Sequence, residues 1–272
     1  MSWSIFSARQ VLYPERRLIP APHPLPSYAA HDVTMPDGTC LDVWILERPS
    51  PRARILVCHG YYANRCQVLA LAHGLRQRGY EVVLFELRGH GSRPGPCTLG
   101  VRECEDALGI LQWARTRDPS APLPIGMLGF SMGAAVACQV TARAPAVKAL
   151  IADSLYSRFF PILKRAIWGR YHLSEAPWAW LTWWAVQLAL HRRLTPLDPA
   201  ALAPRLHQPL LVIQGGDDQQ VIPPFGEEFY QRWAGPKERW VKPDVGHVGM
   251  FAHDPEEYCD RVARFFDRAF TS

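Results

Sequence analysis

The run Gly129-Phe130-Ser131-Met132-Gly133 sets a hydroxyl between two glycines. Residues 123–128 before it have the apolar character of a short buried strand, and residues 134–140 after it read as a small-residue helix. A serine at such a junction sits on a sharp, strained turn that lifts its Oγ clear of the sheet edge. The glycines follow from space, because a Cβ at either flank would strike the neighbouring strand or helix. A serine hydroxyl is a poor nucleophile until a base takes its proton. His247, in Asp244-Val245-Gly246-His247-Val248-Gly249, lies between the last strand and the last helix, where a loop can lower an imidazole onto the serine. Of the other nine histidines, His253 abuts Asp254-Pro255 and is expected to cap the final helix. An acid must then orient the imidazole and stabilise its charged form. Asp218, closing Gly215-Gly216-Asp217-Asp218, is the expected one, and its neighbour Asp217 reads as a turn aspartate satisfying its own backbone. The chemistry of such a set is acyl transfer through a covalent serine intermediate.

Positioning these groups takes alternating strands and helices. Segments 31–35 and 41–46 flank Pro36-Asp37-Gly38, a hairpin signal. Strands are expected at 54–58, 82–87, 123–128, 148–152, 209–214 and 238–242. Helices are expected at 65–78, 101–117, 131–143, 224–234 and 254–270. The fold class is α/β: a mostly parallel sheet with helices on both faces. Two segments fall outside the alternation. Residues 14–26 contain five prolines, so 1–30 is expected to be an extended N-terminal arm. Residues 154–207 are too long for a simple crossover and hold five of the ten tryptophans, which suggests a helical cap inserted above the sheet. Its second helix is expected to start near Ser174 as N-cap, with Pro177 in the first turn.

Four blocks give the chain a family resemblance: Cys58-His59-Gly60-Tyr61, residues 85–92 (Phe-Glu-Leu-Arg-Gly-His-Gly-Ser), the serine turn, and Gly215-Gly216-Asp217-Asp218 with Gly246-His247. From residue 31 to the end it resembles the serine hydrolases of the α/β-hydrolase superfamily, with the flavour of its small-cap esterase-like group. The order serine, acid, histidine is the order of that superfamily. The resemblance implies Ser131 as nucleophile, His247 as base, Asp218 as acid, and an eight-stranded type of sheet. It also implies an oxyanion hole made by the backbone N–H groups of Tyr61 and Met132, the latter at a helix N-terminus that favours negative charge. Two departures bear on the acid. The proline expected directly after Val221 is displaced to Pro223, and some relatives carry the acid where this chain has Asp153. Tyr62, Trp180, Trp183 and Trp184 are placed to shape an acyl pocket. No cofactor and no metal enters the scheme. The implied activity is ester cleavage through an acyl-enzyme. Thioesterase, acyltransferase or peptidase activity, or ligand binding without turnover, are the alternatives.

Composition sets outer limits. The 272 residues fit one α/β unit, and 48% hydrophobic with 20% charged residues describes a globular chain. A net charge of +5 without a concentrated basic face argues against nucleic acid as partner. Seven cysteines at irregular spacing read as free thiols in a reducing compartment, and no C-x-x-C or H-E-x-x-H pattern suggests zinc. The first residues lack a secretion-signal pattern, so the expected location is cytoplasmic. The glycine-rich 88–92 lacks the ending of a phosphate loop and reads as a turn. The apolar run 176–190 is too short to span a bilayer, but a membrane-surface contact through the Trp-rich cap fits it. The expected partner is a small acyl substrate.

Overall fold

The computed structural model describes residues 3–271 except 25, 36, 94 and 118–121. The chain opens with helix α1 (Trp3–Leu12), then runs through β1 (Ala29–Thr34), β2 (Cys40–Leu46), β3 (Arg54–Cys58), α2 (Leu69–Gln77), β4 (Glu81–Phe85), α3 (Val101–Thr116), β5 (Ile125–Phe130), α4 (Met132–Arg143) and β6 (Val147–Asp153). Helices α5 (Phe159–Tyr171), α6 (Trp180–Ala189) and α7 (Pro199–Leu202) come next. The last elements are β7 (Leu210–Gly215), α8 (Pro224–Arg232), β8 (Lys237–Lys242), α9 (Met250–His253) and α10 (Pro255–Thr271). Among the described residues the sheet has eight strands in the order β1-β2-β4-β3-β5-β6-β7-β8. The pairs β1–β2 and β2–β4 are antiparallel, and all later pairs are parallel. This is the α/β architecture the alternation called for.

Period-2 alternation divides each central strand between two cores. Leu56 and Cys58 of β3, Leu150 and Ala152 of β6, and Leu210 and Val212 of β7 join the core that includes α3 and α4. Their neighbours Ile55 and Val57, Ala149 and Ile151, and Leu211 and Ile213 join the core beneath α2 and α10. With both faces covered, the parallel strands read as continuous apolar runs, which is why they were visible in the sequence. Strand β5 begins and ends two residues later than its apolar run suggests, reaching Phe130 directly before the serine. Pro36 of the expected hairpin turn lies outside the described residues, while Met35 and Gly38 close the turn around it by an N–H to carbonyl bond of 2.9 Å.

Two expectations are corrected. The N-terminal arm is not extended throughout: residues 3–12 form α1, and the chain becomes irregular only after it. Tertiary contacts hold this helix. The Trp3 ring meets Tyr171 and Trp178 edge-on at 4.9 and 5.6 Å, and Ser7 Oγ hydrogen-bonds Thr182 Oγ1 at 2.7 Å. The second cap helix does not start at Ser174. Ser174 makes no side-chain cap and Ala176, before Pro177, is extended (φ −103°, ψ 133°), so continuous helical backbone begins two residues later, at Pro177, which occupies the first turn as expected.

Candidate active site

Five loops converge at the carboxyl ends of the parallel strands, where open α/β sheets bind ligands. Strand β5 delivers Ser131 at φ +52°, ψ −117°, a conformation that costs a non-glycine residue about 1–3 kcal/mol. The flanking glycines are explained by what surrounds them. A Cβ on Gly129 would strike the backbone of Gly133 and Ala134 in α4, and one on Gly133 would strike the carbonyls of Cys58 and His59 after β3. The Ser131 N–H is tied to the Asp153 carbonyl of β6 at 2.8 Å, which fixes the turn from the other side.

The loop after β8 brings His247 to the serine: Nε2 lies 3.0 Å from Ser131 Oγ. Its Nδ1 donates to Asp218 Oδ2 at 2.7 Å. The carboxylate thereby keeps the ring proton on Nδ1 and turns the Nε2 lone pair toward the hydroxyl. Asp218 is buried and fully satisfied. Its Oδ1 accepts the Val221 and Gln220 N–H groups at 2.8 and 2.9 Å, and its Oδ2 also accepts Gln214 Nε2 at 3.2 Å. The ring of His247 remains partly open to the cleft.

The two alternative acids stand elsewhere. Asp217 is exposed, and among the described residues its carboxylate accepts from the Gln219 side-chain Nε2 rather than from its own backbone, which corrects its reading as a self-satisfied turn aspartate. Asp153 is buried, and burial pushes its carboxyl up to about 6, outweighing the opposing hydrogen bonds that the Ser154 and Tyr258 hydroxyls donate to it at 2.8 Å each. Ser154 in turn accepts the Val248 N–H at 3.1 Å, so Asp153 and Ser154 latch the loop that carries His247. That positioning role had no motif to announce it. The expectation for His253 is corrected: it is exposed at the end of α9, and Asp254 caps α10 through Glu257 N–H at 2.9 Å. His59 and His90 are buried, and among the described residues neither hydrogen-bonds Ser131. His59 Nε2 accepts Leu87 N–H, and His90 is held near 4 by burial and the neighbouring His59, its Nε2 without a partner among the described residues.

Above Ser131 lies a cavity of about 800 Å³. Gly60 packs against Phe130 and Ser131, and its N–H is held by Gln67 Oε1 at 3.0 Å. Tyr61 and Met132, the residues expected to offer N–H groups, both line the cavity. Met132 is the first residue of α4, whose N–H has no acceptor within the helix. Tyr62 also lines it, together with Val11, Phe159, Ile162, Leu163 and Trp168. Trp180, Trp183 and Trp184 do not, and their assignment to the pocket is corrected. Helical period turns Trp183 into the core against Phe159 and Phe160 and leaves Trp180 and Trp184 outward, 57% and 62% exposed. The N-terminal segment is an unexpected wall. Val11 O accepts Tyr61 Oη at 2.6 Å, Leu12 O accepts Cys97 N–H at 2.7 Å, and Ile19 O accepts Asn64 Nδ2 at 3.1 Å.

Residues 55–261 match the model of the alpha/beta hydrolase family. The chain belongs to that family. It is 32% identical over 264 residues to an uncharacterized protein of Mycobacterium tuberculosis, covering 92% of this chain and 86% of that one. The uncharacterized protein YqkD of Bacillus subtilis is 24% identical over 216 residues, with 78% and 70% covered. Among solved structures, an esterase of Pyrococcus furiosus superposes with a TM-score of 0.75 at 25% identity, covering 93% of this chain and 99% of that one. A Xanthomonas campestris protein described as an α/β serine hydrolase without lid shares the fold, with a TM-score of 0.60 at 22% identity and 92% and 98% covered. The family and the likeness to the Pyrococcus furiosus esterase together support a hydrolase.

Proposed function

We propose that the chain is a serine carboxylesterase acting through Ser131, His247 and Asp218. The observation that carries this reading is the unbroken chain of hydrogen bonds from Ser131 Oγ through both imidazole nitrogens to a buried carboxylate. In the proposed reaction Oγ attacks the ester carbonyl as its proton passes to His247 Nε2. Asp218 stabilises the imidazolium. The N–H groups of Tyr61 and Met132 hold the oxyanion; a donor of this kind contributes roughly 100-fold or more in rate. His247 then protonates the leaving alcohol, and the acyl group stays on Ser131. Water that gives its proton to the same Nε2 releases the acid and restores the hydroxyl. The apolar lining of the cavity suits an acyl chain, and the name of the Pyrococcus furiosus neighbour supports an ester over other acyl compounds.

The test is a series of nitrophenyl esters of increasing acyl length, with one thioester and one amide, on wild-type and Ser131→Ala proteins. Esters are expected to react fastest, and the variant to lose about 10⁴-fold or more in kcat. Preference for the thioester or amide would reassign the substrate, and no turnover of any compound would favour ligand binding without chemistry.

A further inference from the structure

Helix α6 contains no charged residue, yet it is not enclosed. Thr182, Trp183 and Val186 face inward, while Trp180, Leu181, Trp184 and Leu188 form an outward stripe at 57%, 41%, 62% and 55% exposure. A helix apolar on every side is normally buried, so the outer stripe calls for a partner. The elements packed around it continue the pattern. Trp168 on α5 is 58% exposed, and Ile5 and Phe6 on α1 are 57% and 37% exposed. Helix α1 lies directly against α6 through Ser7 and Thr182.

Charge identifies the partner. Segments 3–30 and 154–197 hold nine Lys and Arg against two acids, Glu15 and Glu175, whereas the whole chain holds 30 against 25. Arg16, Arg170, Arg192 and Arg193 are exposed and form no salt bridge among the described residues. Arg192 and Arg193 follow the end of α6, and Arg170 lies two residues beyond Trp168. A second copy of the chain would bring like charge against like charge. An anionic bilayer takes both features at once: indole and leucine side chains enter the headgroup boundary, and arginines meet lipid phosphates. No helix among the described residues is long and apolar enough to cross a membrane, so the contact is with the surface.

The geometry points to the outer face of the α1–α5–α6 cap as a docking surface for an anionic lipid bilayer. Trp168 and Arg170, exposed on α5 of the cap, also line the cavity above Ser131, so docking would set the cavity entrance beside the lipid phase. Binding itself does not depend on the esterase reading.

Flotation with phosphatidylcholine vesicles, with and without phosphatidylglycerol, tests it on the full chain. Wild-type protein is expected to float with the anionic vesicles, less with neutral ones, and less at high salt. Trp180→Ser/Trp184→Ser and Arg192→Gln/Arg193→Gln are each expected to lower partitioning roughly tenfold or more at unchanged melting temperature, the arginine pair removing much of the salt dependence. Ser131→Ala should float like wild type, which separates this inference from the catalytic one. Wild-type protein left unbound by both vesicles would overturn it. So would a dimer in sedimentation equilibrium that the tryptophan pair dissociates, because a second copy would then cover the face.

Discussion

Replacing Asp218 with Asn changes one atom and should remove most of the activity. The Oδ1 position accepts two backbone N–H groups, from Val221 and Gln220, so the amide oxygen of Asn is fixed there. Its NH2 then occupies the Oδ2 position, 2.7 Å from His247 Nδ1 and 3.2 Å from Gln214 Nε2. Donor would face donor unless the imidazole moves its proton to Nε2. That tautomer presents an N–H to Ser131 Oγ and cannot take its proton. The expected loss in kcat is about 10³–10⁴-fold, or about 4–5.5 kcal/mol of transition-state stabilisation. Folding should be little affected, since Gln214 Nε2 keeps the Val221 carbonyl at 3.1 Å. The assay is hydrolysis of a short nitrophenyl ester alongside Asp217→Asn and Asp153→Asn, with melting temperatures for all three. Asp217→Asn should stay near wild type, within about threefold. Asp153→Asn forces one of two hydroxyls to turn and reaches the site only through Ser154 and Val248, so a loss under about tenfold is expected. Near-normal activity of Asp218→Asn, or an equal collapse in Asp153→Asn, would refute the assignment of the acid.

Further outcomes follow from packing and burial. Gly133→Ala, whose Cβ would meet two backbone carbonyls, should destabilise the fold by about 3 kcal/mol or abolish expression, whereas Gly169→Ala, in helix α5 with open space around it, should stabilise by about 0.5–1 kcal/mol in urea unfolding. His90 is held near 4 in the folded chain against an ordinary 6.5, so the unfolded chain binds the proton first as pH falls. Its contribution is therefore complete above pH 6.5 and lost toward pH 4, by about 3 kcal/mol. The buried carboxyls of Asp153 and Asp198, both raised to about 6, act in the opposite direction below that value. The difference in urea stability between wild type and His90→Gln at several pH values isolates the histidine; parallel profiles would contradict its burial in neutral form.

The parts legible in the sequence are those whose chemistry is local. The serine turn, the Gly-x-x-Asp block and the Gly-His loop each declare a backbone geometry within a few residues, and buried parallel strands declare themselves as apolar runs. What stayed hidden depends on contacts far along the chain. Prolines 14–26 suggested an extended arm, but the helix before them is held by Trp178, Tyr171 and Thr182, about 170 residues away. Helix α6 is apolar on all sides, so periodicity gave no means of telling the inward Trp183 from the outward Trp180 and Trp184. The same is true of Trp168, which reaches the cavity from an outer helix. Ser154 looked like any loop serine, and its role appears only when β6 and the loop after β8 are seen side by side.

Reaction with a fluorophosphonate, followed by intact-mass measurement and peptide mapping, reads out Ser131 as the nucleophile. One adduct per chain is predicted, on the peptide carrying Ser131, absent in Ser131→Ala, strongly slowed in His247→Gln and preserved in Ser154→Ala. An unlabelled wild-type protein, or an adduct that persists at another residue when Ser131 is removed, would contradict it.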